Sequence, residues 1–260
     1  MSLLKRIIFC LYYQDGFFYL SRNFRLQKVG DYEWLEKNYN FHENCENIDE
    51  LAFILVTRDP SKEEIFKFLK DIEKIRKKIF SPIMIGGSLR NFKNVKKFFD
   101  NGADKILINT MSLNKELINK ISDIYGHQSI SLNIDYKFVN EKKKNMTFFE
   151  CGRISSGLDV ESHINKLSET NFGELILHSI DKDGTGNGYD IKVIENFEKK
   201  INKPLLLMGG AGKSDHMVDA LKNESIDGII SANIFNFIGD GLKISRETAV
   251  KQKINVAKLV

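Results

Sequence analysis

The stretch "IGGSLRNFKNVKKFFDNGADKILINT" (residues 85–110) holds the end of one apolar run, an amphipathic segment and a second apolar run. In 91–102 the apolar residues recur at intervals of three and four, which predicts a helix. The flanking runs are short and continuously apolar, as is typical of strands that are buried on both faces of a parallel sheet. The stretch therefore predicts a strand–helix–strand unit of a parallel α/β fold.

The same unit recurs in the second half of the chain as "MGGAGKSDHMVDALKNESIDGIISAN" (residues 208–233). Gly86 corresponds to Gly209 and Asp104 to Asp227, and both pairs are 123 positions apart. The alternative to a true repeat is chance similarity between two strand–helix units. The shared offset makes this alternative weaker. A repeat of about half the chain length predicts two halves of four units each.

Apolar runs of this kind occur eight times along the 260 residues, separated by longer segments. The runs are "RIIFCLYY", "LAFILV", "PIMIGG", "KILINT", "SISLNID", "ELILHSID", "PLLLMGG" and "DGIISAN". Eight strand–helix units in a chain of this length predict an α/β fold, a (β/α)8 TIM barrel with an internal half-barrel repeat. No linker divides the sequence, so residues 1–260 are expected to form a single barrel domain.

Composition and charge exclude several classes of protein. The chain has 39 basic and 35 acidic residues, a mixed balance without the basic and aromatic interleaving of nucleic-acid binders. Cys10, Cys45 and Cys151 are widely spaced and have no histidine at metal-ligand spacing, which predicts reduced thiols and no metal site. No apolar stretch reaches the roughly 20 residues of a membrane-spanning helix. The sequence predicts a cytoplasmic protein without nucleic-acid or membrane partners.

Candidate site residues follow the strands, because barrels of this type carry their sites at the carboxyl ends of the strands. Glycine pairs at 86–87 and 209–210 each precede a helix, and this pattern favours phosphate binding at backbone N–H groups. The two pairs predict two anion sites across the mouth and a ligand with a phosphate at each end. The glycine-rich loop in 178–190 can bind an anion or form a flexible acidic turn, and composition leaves both open. By the 123-residue offset, Tyr12 is expected opposite Asp135.

Specific motifs cover nearly the whole chain in order, above all "DKDGTGNGYD" (181–190) and "GGAGK" (209–213). Together they resemble the cyclase subunit family of imidazole glycerol phosphate synthase. The resemblance implies a barrel that receives ammonia from a glutaminase subunit, its heterodimer partner at the N-terminal face. It also implies that ammonia reacts at the opposite face with a phosphorylated ligand, a ribulosyl-formimino aminoimidazole carboxamide ribotide with two phosphates. No cofactor is expected.

The resemblance assigns roles to individual positions of this sequence. The general acid and base are expected at Asp135 and at position 12, where this chain has Tyr12. The expected phosphate contacts are Gly87, Ser88, Asn109 and Thr110 on one side of the mouth, and Asp183, Gly184, Gly210 and Asn233 on the other. Four charges at the strand starts, which alone are typical of stabilising pairs, match the family's gate for ammonia: Arg6, Glu50, Lys105 and Glu174.

Three positions depart from the family pattern: Tyr12, Leu20 and Leu55. The family has an acid at positions 12 and 55 and a phosphate-contacting lysine at position 20. A tyrosine with an ordinary pKa of about 10 is a poor base at neutral pH. The loop "SRNFRLQKVGDY" (21–32) instead resembles a side branch of the family that accompanies enzymes of surface-polysaccharide (lipopolysaccharide) or flagellar glycan pathways.

Three functions remain open from the sequence. In the side branch, the barrel and a glutaminase pass ammonia to a sugar amidotransferase that acts on a nucleotide-activated sugar. A histidine-biosynthesis cyclase with an altered base is the second hypothesis, and a non-catalytic scaffold that activates its partner is the third. The resemblance implies a lyase-type synthase subunit, and the replaced aspartate leaves the chain's own enzymatic activity open.

Overall fold

Eight parallel strands close into a barrel in the computed structural model, which describes residues 3–39, 41–195, 202–232 and 240–258. The barrel strands pair in chain order, and the last pairs with the first, so that the sheet closes on itself. They are β1 (Arg6–Gln14), β4 (Glu50–Leu55), β5 (Ile83–Gly86), β6 (Lys105–Ile108), β7 (Ile130–Val139), β10 (Glu174–Ser179), β11 (Leu205–Met208) and β12 (Gly228–Ser231). The (β/α)8 architecture predicted from the eight apolar runs is confirmed.

Eight α-helices lie within the described residues and pack against the barrel. They are α1 (Tyr32–Tyr39), α2 (Phe41–Cys45), α3 (Lys62–Arg76), α4 (Phe92–Asp100), α5 (Lys115–Tyr125), α6 (Val160–Leu167), α7 (Ser214–Lys222) and α8 (Gly241–Lys251). The helix predicted in 91–102 is α4. Its cap is Asn91, whose side chain accepts a hydrogen bond from the Asn94 N–H at 3.0 Å. Val95 and Phe98 of α4 are buried in the core outside the barrel.

Side-chain alternation along the strands separates an inner core from an outer core. In β1, Ile8, Cys10 and Tyr12 belong to the apolar cluster inside the barrel, whereas Ile7 and Phe9 belong to the cluster between strands and helices. Inward-facing residues of other strands complete the inner cluster: Ala52, Met84, Leu107, Ile176, Leu206, Met208 and Ile230. Tyr12 therefore lies at the upper end of the inner core, next to the mouth formed by the carboxyl ends of the strands.

The internal repeat is visible in how two of its acids bind the chain. The Asp104 carboxylate accepts a hydrogen bond from the Ile83 N–H at 2.9 Å, and the Asp104 N–H donates to the Ile83 carbonyl at 2.8 Å. Asp227 makes the same two contacts with Leu205, at 2.9 and 2.8 Å. Each aspartate thus joins the start of its own strand to the start of the preceding strand by two hydrogen bonds. This shared contact explains why both halves carry an aspartate at this position.

Two β-hairpins extend the barrel at the carboxyl ends of β1 and β7. The first consists of β2 (Phe17–Arg22) and β3 (Arg25–Gly30), and the second of β8 (Lys144–Phe149) and β9 (Ile154–Asp159). Tyr12 pairs with Tyr19 where the first hairpin joins the barrel, and Asp135 pairs with Phe148 where the second joins it. The two repeat-related positions therefore hold equivalent places, each at the base of a hairpin. The stretch 21–32, expected as a loop, is for the most part this first hairpin.

Candidate functional site

A cavity of about 580 Å³ opens at the carboxyl ends of β1 and β4 to β7, between the two hairpins. Six of the predicted site residues line it: Tyr12, Asp135, Gly87, Ser88, Asn109 and Thr110. A second cavity of about 20 Å³ is lined by three others, Asp183, Gly184 and Gly210, and also by Tyr12. Leu55 lines the larger cavity and Leu20 the smaller one. Asn233, predicted with the second group, lies outside the described residues.

The Tyr12 phenol is buried at the boundary between the two cavities. The side chain is 5% exposed, and its hydroxyl has no hydrogen-bond partner among the described residues. Burial, together with the negative charge of Asp183, raises the pKa of Tyr12 well above its ordinary value. The hydroxyl is thus protonated at neutral pH, where it can donate or accept a hydrogen bond but cannot act as a base.

A buried histidine, which the sequence analysis did not select, bridges two of the predicted acids. His178 Nδ1 lies 3.2 Å from Asp135 Oδ1, and His178 Nε2 lies 3.7 Å from Asp183 Oδ1. The first contact is a hydrogen-bonded ion pair, and the second is an ionic contact beyond hydrogen-bond distance. Although burial opposes the charged imidazole, hydrogen bonding to Asp135 and the nearby Asp183 raise the pKa of His178 to about 9. At neutral pH an imidazolium therefore lies between two carboxylates.

Asp135 has a second donor besides the imidazolium. The Asn133 side-chain N–H donates to Asp135 Oδ1 at 2.7 Å, to the same oxygen that faces His178. Asp135 is 5% exposed and Asn133 4% exposed, so neither group exchanges these contacts freely for water. The Asp135 carboxylate is therefore held inside the mouth by two neighbouring side chains.

His178 faces the barrel interior for a reason that the sequence does contain. Side chains alternate along β10, and Ile176, two positions earlier, belongs to the inner cluster. The alternation of side chains along β10 thus places His178 inside the mouth. It lies level with Asp135, its partner in the β7–β10 register. A titratable residue that falls on the inward-facing positions at the end of a strand is the sequence signal that could have identified His178.

The first hairpin closes over the second predicted anion loop. Ser21 Oγ donates to Asp183 Oδ2 at 2.5 Å, and the Phe24 N–H donates to the same oxygen at 3.1 Å. The Phe24 ring packs against the His178 imidazole with a centroid distance of 4.7 Å and an interplanar angle of 49°. At Gly184 a β-carbon would lie 2.1 Å from the Ser21 carbonyl oxygen, so the hairpin backbone runs directly against this glycine. These contacts account for the small volume on this side of the mouth.

The first predicted anion loop, in contrast, faces the larger cavity. Gly87 has a φ of +90°, and a β-carbon there would lie 2.0 Å from the Leu55 carbonyl oxygen, so the position requires glycine. Ser88, also in the left-handed region, leads into the cap of α4. The Thr110 hydroxyl accepts a hydrogen bond from the Glu150 N–H at 3.4 Å. Backbone turns and a hydroxyl that line open space next to a helix start are suited to an anion.

Four charged side chains form a ring at the opposite end of the barrel. Arg6 contacts Glu50 at 3.1 Å and Glu174 at 2.6 Å, and Lys105 contacts the same two acids at 2.9 and 3.2 Å. Glu174 also accepts a hydrogen bond from Ser131 at 2.5 Å. Although burial opposes its ionisation, Arg6, Lys105 and Ser131 hold the pKa of Glu174 below its ordinary value. All four predicted gate residues are thus joined in one network, in which one oxygen of Glu50 lacks a hydrogen-bond partner among the described residues.

The part of the chain that the structure describes has neither a metal-binding cluster nor a membrane-spanning helix. It contains no group of three or more His, Cys, Asp or Glu side chains that could hold a metal ion. None of its helices combines the length and the apolar character needed to span a membrane. Its cysteines are free thiols, of which Cys10 and Cys45 are buried, and burial raises the pKa of both.

Comparison with known proteins gives one matching family model and many relatives, three of which are described below. The family model described as "Histidine biosynthesis protein" matches residues 32–239. "Putative imidazole glycerol phosphate synthase subunit hisF2" of Parasynechococcus marenigrum (strain WH8102) is 43% identical over 246 residues, which cover 94% of this chain and 90% of the relative. "Imidazole glycerol phosphate synthase subunit HisF" of Leptospira biflexa serovar Patoc (strain Patoc 1 / Ames) is 34% identical over 209 residues, covering 80% and 81%. The protein of that name from Bacillus cereus (strain ATCC 10987 / NRS 248) is 32% identical over 259 residues, covering 97% and 100%.

Proposed function

Because the chain belongs to the histidine biosynthesis protein family, as a homologue of HisF cyclase subunits, we propose that it is a barrel subunit that receives ammonia from a glutaminase. In this proposal the barrel does not close an imidazole ring. It passes the ammonia to an amidation reaction, the acceptor being a nucleotide-activated sugar of glycan biosynthesis. A separate sugar amidotransferase completes the reaction. The resemblance of 21–32 to the glycan-associated side branch supports this choice of acceptor.

One observation carries the proposal: the charged ring at the entrance is complete, whereas the acid–base pair at the exit is not. Arg6, Glu50, Lys105 and Glu174 contact one another at 2.6 to 3.2 Å. At the mouth, a protonated tyrosine occupies the position where the resemblance implies an acid. A barrel that keeps the means of admitting ammonia and lacks a base for cyclisation is suited to delivery of ammonia.

The histidine bridge weakens cyclisation chemistry at the second acid as well. Asp135 is in contact with the His178 imidazole at 3.2 Å, and both side chains are buried, so the carboxylate is already engaged by a neighbour. General acid–base catalysis contributes a factor on the order of 10² to 10⁴ to a rate, and here one member of the pair is replaced by Tyr12 and the other contacts His178. The geometry thus favours a barrel with little cyclase activity of its own.

Exposed apolar residues at the N-terminal face support the position of the glutaminase. Leu3 and Leu4 precede β1 and are 67% and 54% exposed, and Phe80, which precedes β5, is 97% exposed. Both segments enter barrel strands at the end where the charged ring lies. Exposed apolar side chains beside a polar opening are typical of a face that is covered by a partner.

A second candidate function is the histidine-pathway cyclase itself. The relatives with 34% and 32% identity carry the name of that subunit, and Asp135 is present at the position of one catalytic acid. Under this hypothesis Tyr12 would replace an aspartate without loss of turnover. A third candidate, the non-catalytic scaffold, would activate a glutaminase but transfer no ammonia.

Genetic complementation combined with a coupled assay separates the three. The chain is expressed with a HisH-type glutaminase in a histidine auxotroph that lacks the cyclase subunit, and glutaminase activity is measured with and without the barrel. We expect stimulated glutamine hydrolysis, no rescue of growth, and glutamine-dependent amidation of a nucleotide sugar when the sugar amidotransferase is added. Rescue of growth would support the histidine-pathway cyclase. Stimulation without any amidation would support the scaffold.

A further inference from the structure

The two sides of the barrel mouth differ in the space that they offer to a ligand. On the Gly184 side, Ser21 and its neighbours in the first hairpin occupy the position above the loop, and the cavity measures about 20 Å³. On the Ser88 and Thr110 side, the cavity measures about 580 Å³. Among the residues that the structure describes, the larger side therefore offers far more room for the anionic groups of a ligand than the Gly184 side does.

Four arginines line the larger cavity, and they divide into two pairs. Arg58 and Arg90 form ion pairs with Glu150 at 3.2 and 2.8 Å, and Glu150 is 8% exposed. Arg25 and Arg153 are exposed and have no ion-pair partner among the residues that the structure describes. Two guanidinium groups next to the cavity are thus available to an anion, while the other two already neutralise a carboxylate.

The contact between the two hairpins places the free arginines on the same rim. The Phe24 ring lies against Gly152, since a β-carbon at Gly152 would be 3.0 Å from Phe24 Cδ2. Arg25 directly follows Phe24 at the start of β3, and Arg153 directly follows Gly152 before β9. Both side chains contribute to the wall of the one large cavity. An anion at this rim can therefore be reached from both hairpins.

We propose that the larger cavity binds a diphosphate, with one phosphate at Ser88 and Thr110 and the other between Arg25 and Arg153. The planar guanidinium group binds phosphate oxygens in a bidentate manner, and two such groups are suited to the higher charge of a diphosphate. The first phosphate position is the predicted anion site at Ser88 and Thr110, and the inference rests on the proposed function for the class of ligand, an organic diphosphate. A nucleotide-activated sugar with a diphosphate linkage has this chemistry.

Titration calorimetry with inorganic phosphate and inorganic pyrophosphate tests the proposal on the full chain, in magnesium-free buffer of fixed ionic strength. We expect pyrophosphate to bind about tenfold more tightly than phosphate. Arg25→Gln and Arg153→Gln each remove charge-assisted hydrogen bonds, which should weaken pyrophosphate binding by about tenfold and phosphate binding by clearly less. Arg22→Gln is the matched control, because Arg22 is an exposed arginine of the same hairpin that does not line the cavity.

The outcomes separate this inference from the function on which it rests. Thr110→Val should abolish the binding of phosphate itself. If phosphate binding depends on Thr110 but pyrophosphate binds no more tightly than phosphate, or its affinity does not depend on Arg25 and Arg153, the diphosphate site is overturned. The phosphate position at Ser88 and Thr110 then stands. An equal loss in the Arg22, Arg25 and Arg153 variants also overturns it, because the effect would then be one of net charge. If phosphate does not bind, or ignores Thr110→Val, both the phosphate position and the diphosphate site are wrong.

Discussion

Replacement of His178 by glutamine should change how stability depends on pH. His178 is buried, and its ordinary pKa of 6.5 rises to about 9 through its contacts with Asp135 and Asp183. Since each pKa unit corresponds to about 1.4 kcal/mol, the protonated imidazole contributes roughly 3 kcal/mol to the free energy of unfolding. Because the folded-state pKa is the higher one, this contribution is fully present below pH 6.5. It is lost as the pH rises through about 9.

The assay is urea denaturation of the wild type and of His178→Gln from pH 6 to pH 9.5. The wild type should lose roughly 3 kcal/mol relative to the variant across this range. His163→Gln is the matched control, since His163 is also buried but is hydrogen-bonded to Ser112 and Thr147 instead of to acids. Burial lowers the pKa of His163 to about 4, so that it is neutral throughout the range.

A direct measurement completes this test where the variant is too unstable to compare. The imidazole nitrogen resonances of His178 in the wild type should titrate at about pH 9, and those of His163 at about pH 4. A His178 titration at or below pH 6.5 would refute the ion-pair bridge. So would parallel stability curves of the wild type and His178→Gln between pH 6.5 and pH 9.

Two further predictions concern the charged ring and the first anion loop. Lys105→Ala should uncouple glutamine hydrolysis from ammonia use, which is measured as the ammonia released into solution per glutamine consumed. The control is Lys96→Ala, which breaks an exposed ion pair on α4 and should leave the coupling unchanged. Unchanged coupling in the Lys105 variant would assign the ring to stability alone. Gly87→Ala should lower the denaturation midpoint more than Gly157→Ala does. Both glycines have positive φ, but only at Gly87 would a β-carbon lie 2.0 Å from the Leu55 carbonyl oxygen. Gly157→Ala should cost about 1 kcal/mol for its backbone conformation, and equal costs would contradict the close approach.

The barrel was predictable from the sequence because its strands are continuously apolar and its halves repeat. The hairpins were not predicted, although Asp15 and Gly16, both with positive φ, form the kind of two-residue turn that joins antiparallel strands. That signal was hidden because the apolar run of β1 continues into the hairpin without a break. The alternation of β10 indicates that His178 faces the barrel interior, but its contact with Asp135 joins two different strands and is not visible in a local pattern.

The difference in space between the two anion loops was beyond the reach of the sequence. The glycine pairs are in register, and nothing in their pattern distinguishes an open loop from a covered one. The difference arises from tertiary contacts of the first hairpin, such as the hydrogen bond from Ser21 to Asp183, between residues 162 positions apart. Pairings over such a distance follow from the packed fold and not from any local pattern.

The most direct test of the proposed function is single-turnover cyclisation of the ribulosyl-formimino substrate in ammonium buffer, which removes any need for the glutaminase. The wild type should show little turnover, since Tyr12 is protonated and Asp135 is held by His178. Tyr12→Asp alone should recover little, because residues of one acid–base site act as a unit. A wild-type rate within the range of ordinary enzymes, roughly 1 to 10³ per second, would contradict the proposal and identify the chain as a histidine-pathway cyclase.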